Sequence, residues 1–202
     1  MKNNKKTKIV VFGGSGFLGS HVVDALIKEN YDVTIFDLVK NNWINNNIKQ
    51  ITGSILDFEL LKKIIKNYQI VYNFSAISDI EESQKKPLET INVNIVGNAN
   101  ILECCKLFNI KRYVFASTVY IGGNKGSFYK CSKQAAEEYI KEYNNLFKVN
   151  YSILRYGSLY GPRSNQNNDI YNIIYSALKN NVVEYRGYID SRRNYIHVLD
   201  AA

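Results

Sequence analysis

Only two prolines occur in 202 residues, Pro87 and Pro162, and neither interrupts an apolar run. Strands and helices are thus spared the breaks that a missing N–H and a fixed φ impose. Long hydrophobic stretches are also missing: nothing approaches the ~18 uninterrupted apolar residues of a membrane-spanning helix. The N-terminal MKNNKKTK leads straight into a short β-branched run. A secretory signal is not indicated, and the cytoplasm is the expected compartment. Cysteine is scarce and poorly spaced for metal or disulfide chemistry. Cys104 and Cys105 are adjacent, Cys131 stands alone, and no CxxC or neighbouring histidine completes a ligand set. All three read as small, mostly buried thiols, and no metal site is expected. His21 and His197 have no acidic or cysteine cluster beside them and read as structural.

A formal net charge of +8 raises the question of nucleic acid. The lysines, however, are scattered among asparagines, and no basic block is interleaved with base-stacking aromatics. Binding of a phosphate-bearing small molecule accounts for part of the excess, and surface solubility for the rest. With 46% hydrophobic and 22% charged residues, the chain is an ordinary globular one, and its length suggests one domain.

Apolar runs alternate with segments of helical period. KIVVFGG (8–14), YDVTIFD (31–37), IKQITGS (48–54), IVYNFSA (70–76), RYVFAST (112–118), YSILRYG (151–157), VVEYRG (182–187) and NYIHV (194–198) read as strands. Helices are predicted after the first glycine turn, over 58–68, 88–108 and 129–147, and near 169–180. Strands and helices in this alternation give an α/β fold: a doubly wound parallel sheet with helices on both faces. There is no internal repeat.

The clearest chemical signal is GGSGFLGS (13–20). Gly13, Gly16 and Gly19 follow a buried strand and open a helix, so the backbone can approach a pyrophosphate and the helix N-terminus can face it with free N–H groups. Asp37 ends the second strand, where a carboxylate accepts hydrogen bonds from ribose hydroxyls and repels a 2′-phosphate. The pattern points to NAD in preference to NADP. Tyr129 and Lys133 lie four apart in GSFYKCSKQAAEEYI (126–140). By spacing alone they are an active-site pair or merely the polar edge of an amphipathic helix.

The GxxGxxG spacing together with YxxxK resembles the extended short-chain dehydrogenase/reductases, specifically the NAD-dependent epimerase/dehydratase family acting on nucleotide sugars. The resemblance covers essentially the whole chain. INVNIVGNANILECC (91–105) is similar to the family's NVxGTxNLLEA helix, which implies that Asn94 lies near the cofactor. ILRYGSLYGPR (153–163) resembles ILRYFNVYGPR, and RRNYIHVLDAA (192–202) resembles RDYIHVxDVA. The implied architecture is a Rossmann domain over 1–157, the start of a substrate-binding region over 158–192, and a strand returning to the Rossmann domain over 193–202.

The resemblance also implies residue roles. Thr118, Tyr129 and Lys133 are the expected catalytic set. Tyr129 is the base, its phenol lowered from its usual pKa by the Lys133 ammonium and by NAD, and Thr118 holds the same sugar hydroxyl. The cofactor is expected against Gly13, Gly16, Phe17, Leu18, Gly19, Asp37, Ser54, Ile55, Phe74, Ser75, Ala76, Asn94, Tyr129, Lys133 and Tyr156. Ser158 and Arg193 are expected at the pyrophosphate of a nucleotide-diphosphate sugar.

Departures from the family pattern narrow the chemistry. Its 4,6-dehydratases carry Asp-Glu after the catalytic Thr, whereas Val119 and Tyr120 stand here, which disfavours dehydration. Epimerisation at C4 is the first reading; a 4-dehydrogenase and a non-catalytic NAD-binding module are the alternatives. Ser54 replaces an adenine-side Asp, with Asp57 nearby as a helix N-cap. Family members continue past the point where LDAA ends this chain, so an incomplete sugar pocket is expected. The helices over 88–108 and 129–147 carry apolar rows, such as Ile95, Ala99 and Leu102 or Ala136, Tyr139 and Tyr143. Such rows pack on the sheet or, as in the family, pair two subunits into a homodimer.

Overall fold

The computed structural model describes residues 6–40, 43, 47–183 and 192–202. Strand β1 (Lys8–Phe12) runs through the glycine turn into helix α1 (Phe17–Lys28) and returns as β2 (Asp32–Asp37). Then follow β3 (Lys49–Thr52), α2 (Phe58–Ile65), β4 (Ile70–Asn73), α3 (Ile80–Lys85) and α4 (Pro87–Ile91). A wider π-helical turn (Asn92–Gly97) joins α4 to α5 (Asn98–Leu107). The chain continues as β5 (Arg112–Thr118), a 3-10 turn (Val119–Gly122), α6 (Ser127–Phe147), β6 (Tyr151–Tyr156), β7 (Ser158–Tyr160), α7 (Asp169–Asn180), β8 (Tyr195–His197) and α8 (Val198–Ala201).

Six parallel strands form the main sheet in the order β3-β2-β1-β4-β5-β6. The order reverses between β1 and β4, so the carboxyl ends of those strands open a crevice at the switch point. Alternation along β1 explains the layers. Ile9 and Val11 pack with Val22, Val23 and Leu26 of α1, whereas Val10 and Phe12 enter a larger core built with α2, α5 and α6. A parallel strand covered on both faces must be apolar throughout, which is why KIVVF lacks the polar alternation of a half-exposed strand.

The predicted strand–helix order holds, with differences that have physical causes. The helix expected over 88–108 is not one regular helix: Pro87 opens it, and the π turn interrupts it at Asn92–Gly97. Helix α3 escaped the sequence reading because its six residues are too few to show an apolar period; Asp79 caps it by accepting from Glu82 N–H at 2.7 Å. The strand expected over 182–187 does not begin at Val182 or Val183, and its remaining residues lie outside the described ones. Strand β8 pairs with β7 in a separate two-stranded sheet and not with the six-stranded one; the segment returns to the main body through α8, which packs on α1 and buries Val198. Cys104 and Cys105 are buried as expected, but Cys131 is exposed, because the sheet-facing stripe of α6 passes through Ser132 and Lys133 instead. Tyr139 stands half-exposed on the outer side of α6, which excludes for it the first of the two readings of its row, packing on the sheet. No helix among the described residues is long and apolar enough to cross a membrane.

Candidate active site

The glycine turn is built by backbone contacts that admit no side chain. Gly13 has φ 73°, and a Cβ there would lie 2.6 Å from the backbone nitrogen of Ser75. A Cβ on Gly19 would lie 2.1 Å from the Gly13 carbonyl oxygen. The first turn of α1 is thereby pressed against the end of β1, and both against the segment leaving β4. Helices α2, α3 and α7 are capped by the side chains of Asp57, Asp79 and Asn168, whereas α1 begins at Gly16 with no side-chain cap. Its first N–H groups and the positive end of its dipole therefore face the crevice, as a pyrophosphate requires.

Asp37 reinforces this turn. Its Oδ2 accepts from Ser15 N–H at 2.9 Å and its Oδ1 from Leu38 N–H at 2.7 Å. The carboxylate thus ties the end of β2 to the glycine loop and keeps further lone pairs for ribose hydroxyls. Leu18 packs into the α1-side core, and the Phe17 ring meets His21 edge-on at 6.1 Å. His21 itself is buried, with Nε2 2.9 Å from the Pro162 carbonyl oxygen, the structural role expected of it. Ser54 accepts from Leu56 N–H, and Asp57 caps α2 through Leu60 N–H at 2.9 Å, as the sequence suggested. The Ile55 side chain turns into the core against Gly97, so only its backbone is placed for a cofactor.

Two buried asparagines hold the segment after β4. Asn73 Oδ1 accepts from Ser75 N–H, while its amide donates to Tyr113 Oη at 3.0 Å and Asn98 Oδ1 at 3.2 Å. Asn94 clamps Ile77 at both backbone groups, accepting from its N–H at 2.8 Å and donating to its carbonyl at 3.0 Å. It also donates to Ser132 Oγ at 2.9 Å. Asn94 is thus a brace between the Phe74–Ser75–Ala76 segment and α6. Asn73, Asn98, Tyr113 and Ser132 were not singled out in the sequence. Their polar atoms find one another only across β4, β5 and the helices.

The tyrosine and lysine meet the end of β5. The Thr118 hydroxyl, which accepts from Tyr120 N–H at 3.3 Å, stands near enough to the Tyr129 phenol to pull its pKa down. Lys133 is 2% exposed, and its Nζ donates to the Ala116 carbonyl at 2.8 Å while standing 5.8 Å from the centre of the Tyr129 ring. Thr118, Tyr129 and Lys133 are therefore one cluster at the carboxyl end of the sheet. The expected lowering of the Tyr129 pKa does not arise from the chain itself: burial pushes the phenol up to about 12, against a smaller downward pull from Thr118. Burial also drives Lys133 down to about 7, because its ammonium has been taken from water. The lysine is thus not a standing full charge beside the phenol, as the sequence reading supposed.

Tyr156 is the register partner of Thr118, but its side chain faces α1 with Tyr72 and Phe74, where burial raises it to about 12. Ser158 opens β7, its N–H bonded to the Asn194 carbonyl. Arg193 is ion-paired with Asp169 at the start of α7 and lies within electrostatic reach of Tyr120, which also acts on Tyr129. Arg193 thus stands near the cluster without joining it, while Ser158 is tied to the β8 side through Asn194.

A parallel sheet with a glycine turn at its switch point, an acid ending β2 and a Thr-Tyr-Lys cluster ending β5 defines a Rossmann-type dinucleotide-binding protein of the extended short-chain dehydrogenase/reductase class. The chain belongs to the NAD dependent epimerase/dehydratase family, whose model matches residues 9–202. It is 36% identical over 219 residues to a putative UDP-glucose 4-epimerase from Methanocaldococcus jannaschii, across 96% of this chain and 70% of that protein. The UDP-glucose 4-epimerase of Thermotoga maritima, crystallised with UDP-glucose, superposes with a TM-score of 0.89 at 28% identity, across 96% of this chain and 71% of that one. That of Thermus thermophilus, complexed with NAD, superposes at 0.85 and 25% identity, across 96% and 72%. NAD is the cofactor of this family, and the uncapped α1 and glycine cradle suit it.

Proposed function

We propose that the chain is a nucleotide-sugar 4-epimerase in which Tyr129 exchanges a proton with the C4 hydroxyl. The observation that carries this reading is the buried Lys133, bonded to the Ala116 carbonyl near the end of β5 and standing beside the Tyr129 ring, at the end of the sheet that the glycine turn also faces. A surface Tyr-Lys pair would need neither the burial nor that bond. When bound, NAD takes up and then gives back the hydrogen and two electrons that leave the sugar carbon.

The side chains manage the proton. Thr118 orients the sugar hydroxyl and supports the oxygen as it becomes a carbonyl. Tyr129 takes the hydroxyl proton during oxidation and returns it during reduction of the opposite face, so no proton is gained or lost over the cycle. At about 12 the phenol stays protonated at neutral pH in the chain alone, and the positive charge of bound NAD would favour the phenolate that accepts the proton. Gly13, Gly16 and Gly19 with α1 would hold the pyrophosphate, Asp37 the adenosine ribose and Lys133 the nicotinamide ribose. The backbone of Ser54 and Ile55 and of Phe74, Ser75 and Ala76 would line the same crevice. Ser158 and Arg193 are proposed at the substrate phosphates, which requires Arg193 to exchange Asp169 for the ligand.

Val119 and Tyr120 supply neither the Asp nor the Glu of the family's dehydratases, which leaves re-reduction of the keto sugar, as proposed, or its release. Incubation with UDP-, GDP- and dTDP-sugars tests this: epimer formation without net NADH is expected, NADH accumulation identifies a dehydrogenase, and NAD binding without turnover a non-catalytic module. A homodimer through the outer faces of the π turn before α5 and of α6, where Val96, Tyr139 and Leu146 are exposed, completes the proposal. Light scattering at micromolar concentration should give twice the chain mass.

A further inference from the structure

Among the described residues, Lys133 is the only buried lysine and Glu137 the only buried carboxylate, and they stand one turn apart on α6. Lys133 belongs to the cluster already described; Glu137 has no assigned part. Its Oε1 accepts from Ser117 Oγ at 2.6 Å and from Arg155 Nε at 2.9 Å, and its Oε2 accepts from Arg155 Nη2 at 2.6 Å. Ser117 and Arg155 are register partners on β5 and β6, and the next pair along the ladder is Thr118 with Tyr156.

Helix α6 is therefore tied to the end of β5 at two consecutive residues, through Lys133 to the Ala116 carbonyl and through Glu137 to the Ser117 hydroxyl. Two ties one turn apart fix both the slide and the roll of a helix against a strand. We propose that Glu137 is a positioning residue that sets the Thr118 hydroxyl against the Tyr129 phenol through Ser117 and Arg155. The proposal rests on the reading of Thr118 and Tyr129 as the proton-transfer pair.

Charge chemistry agrees. Burial pushes the Glu137 carboxyl up, but Arg155 and Ser117 outweigh it and leave the group below its ordinary value, ionised at neutral pH. Glu137 is buried while the Arg155 side chain is 51% exposed, so water screens one side of the pair and tempers its stabilisation, whereas a forked Arg–carboxylate contact is strongly directional. Geometry is what this pair supplies.

The test must read the Tyr129 phenol without relying on turnover. Fluorotyrosine is incorporated throughout, the Tyr129 fluorine resonance is assigned by its loss in Tyr129→Phe, and its titration is followed in the full chain. The Thr118 hydroxyl favours the phenolate, so Glu137→Gln should raise the Tyr129 midpoint by about half a pH unit or more, in the same direction as Thr118→Ala. The double variant should match Thr118→Ala alone, because Glu137 then has nothing left to position. An unchanged midpoint in Glu137→Gln, or additive shifts in the double variant, would overturn the proposal. Ser117→Ala, which keeps the ion pair, should give a smaller shift of the same sign and carries the test if Glu137→Gln fails to fold. Glu137→Gln should also lower kcat about tenfold with NAD affinity within about twofold. Wild-type chain that binds NAD but turns over no sugar defeats the epimerase reading, while the fluorine titration still decides the role of Glu137.

Discussion

The glycine turn and the α6–β5 seam solve opposite problems at the same end of the sheet. At the turn, side chains are removed so that backbone can approach backbone, and selectivity comes from what cannot fit: 2.1 Å separates the Gly13 oxygen from any Cβ on Gly19. At the seam, polar side chains are buried, and selectivity comes from what they lose in water: Tyr129 rises to about 12 and Lys133 falls to about 7. The turn is fixed by steric exclusion and tolerates little change. The seam is tuned by electrostatics and changes by degrees.

Perturbing each region should expose the difference. Gly19→Ala places a methyl group on a backbone oxygen that cannot yield, so calorimetry should detect no NAD binding; retained binding would mean that the turn can open. Tyr129→Phe should instead leave NAD affinity intact while turnover falls by about 10²- to 10⁴-fold. Comparable turnover in wild type and variant would remove the phenol from its role.

The seam also carries a pH signature. Lys133 titrates at about 7 in the fold against 10.5 in the reference state, so the unfolded chain binds more protons between those values. The stability linked to Lys133 is complete above about pH 10.5 and is lost as the pH falls through about 7. Denaturant unfolding across that window should show wild-type stability rising relative to Lys133→Met, by at most about 1.4 kcal/mol per pH unit. Parallel profiles would show that Lys133 is solvated. Smaller still, Asp57→Ala should cost about 1 kcal/mol by removing the α2 cap and leave NAD binding unchanged.

The turn was legible in the sequence because its determinants are local. Gly13, Gly16 and Gly19 follow KIVVF directly, Asp37 ends the next strand, and Asp57 precedes FELLKK in cap position. The meeting of Thr118 with Tyr129 was expected only through the family resemblance, since the spacing of the two residues does not by itself bring a strand end to a helix start. The direction of the Tyr129 shift was not legible, because desolvation depends on everything packed around the phenol. Glu137 and Arg155 were passed over for the same reason. Each looks like an ordinary surface charge until α6 is laid on β5 and β6. Cys131 misled because helical period alone does not say which stripe of α6 meets the sheet.

The most direct test of the account follows a label through the reaction. With UDP-glucose deuterated at C4 and one equivalent of NAD, the expected product is the 4-epimer with deuterium still at C4 and no net NADH. Epimer that has lost the label to solvent, or labelled NADH accumulating beside a keto sugar, would contradict oxidation and return at C4 with Tyr129 as the proton carrier.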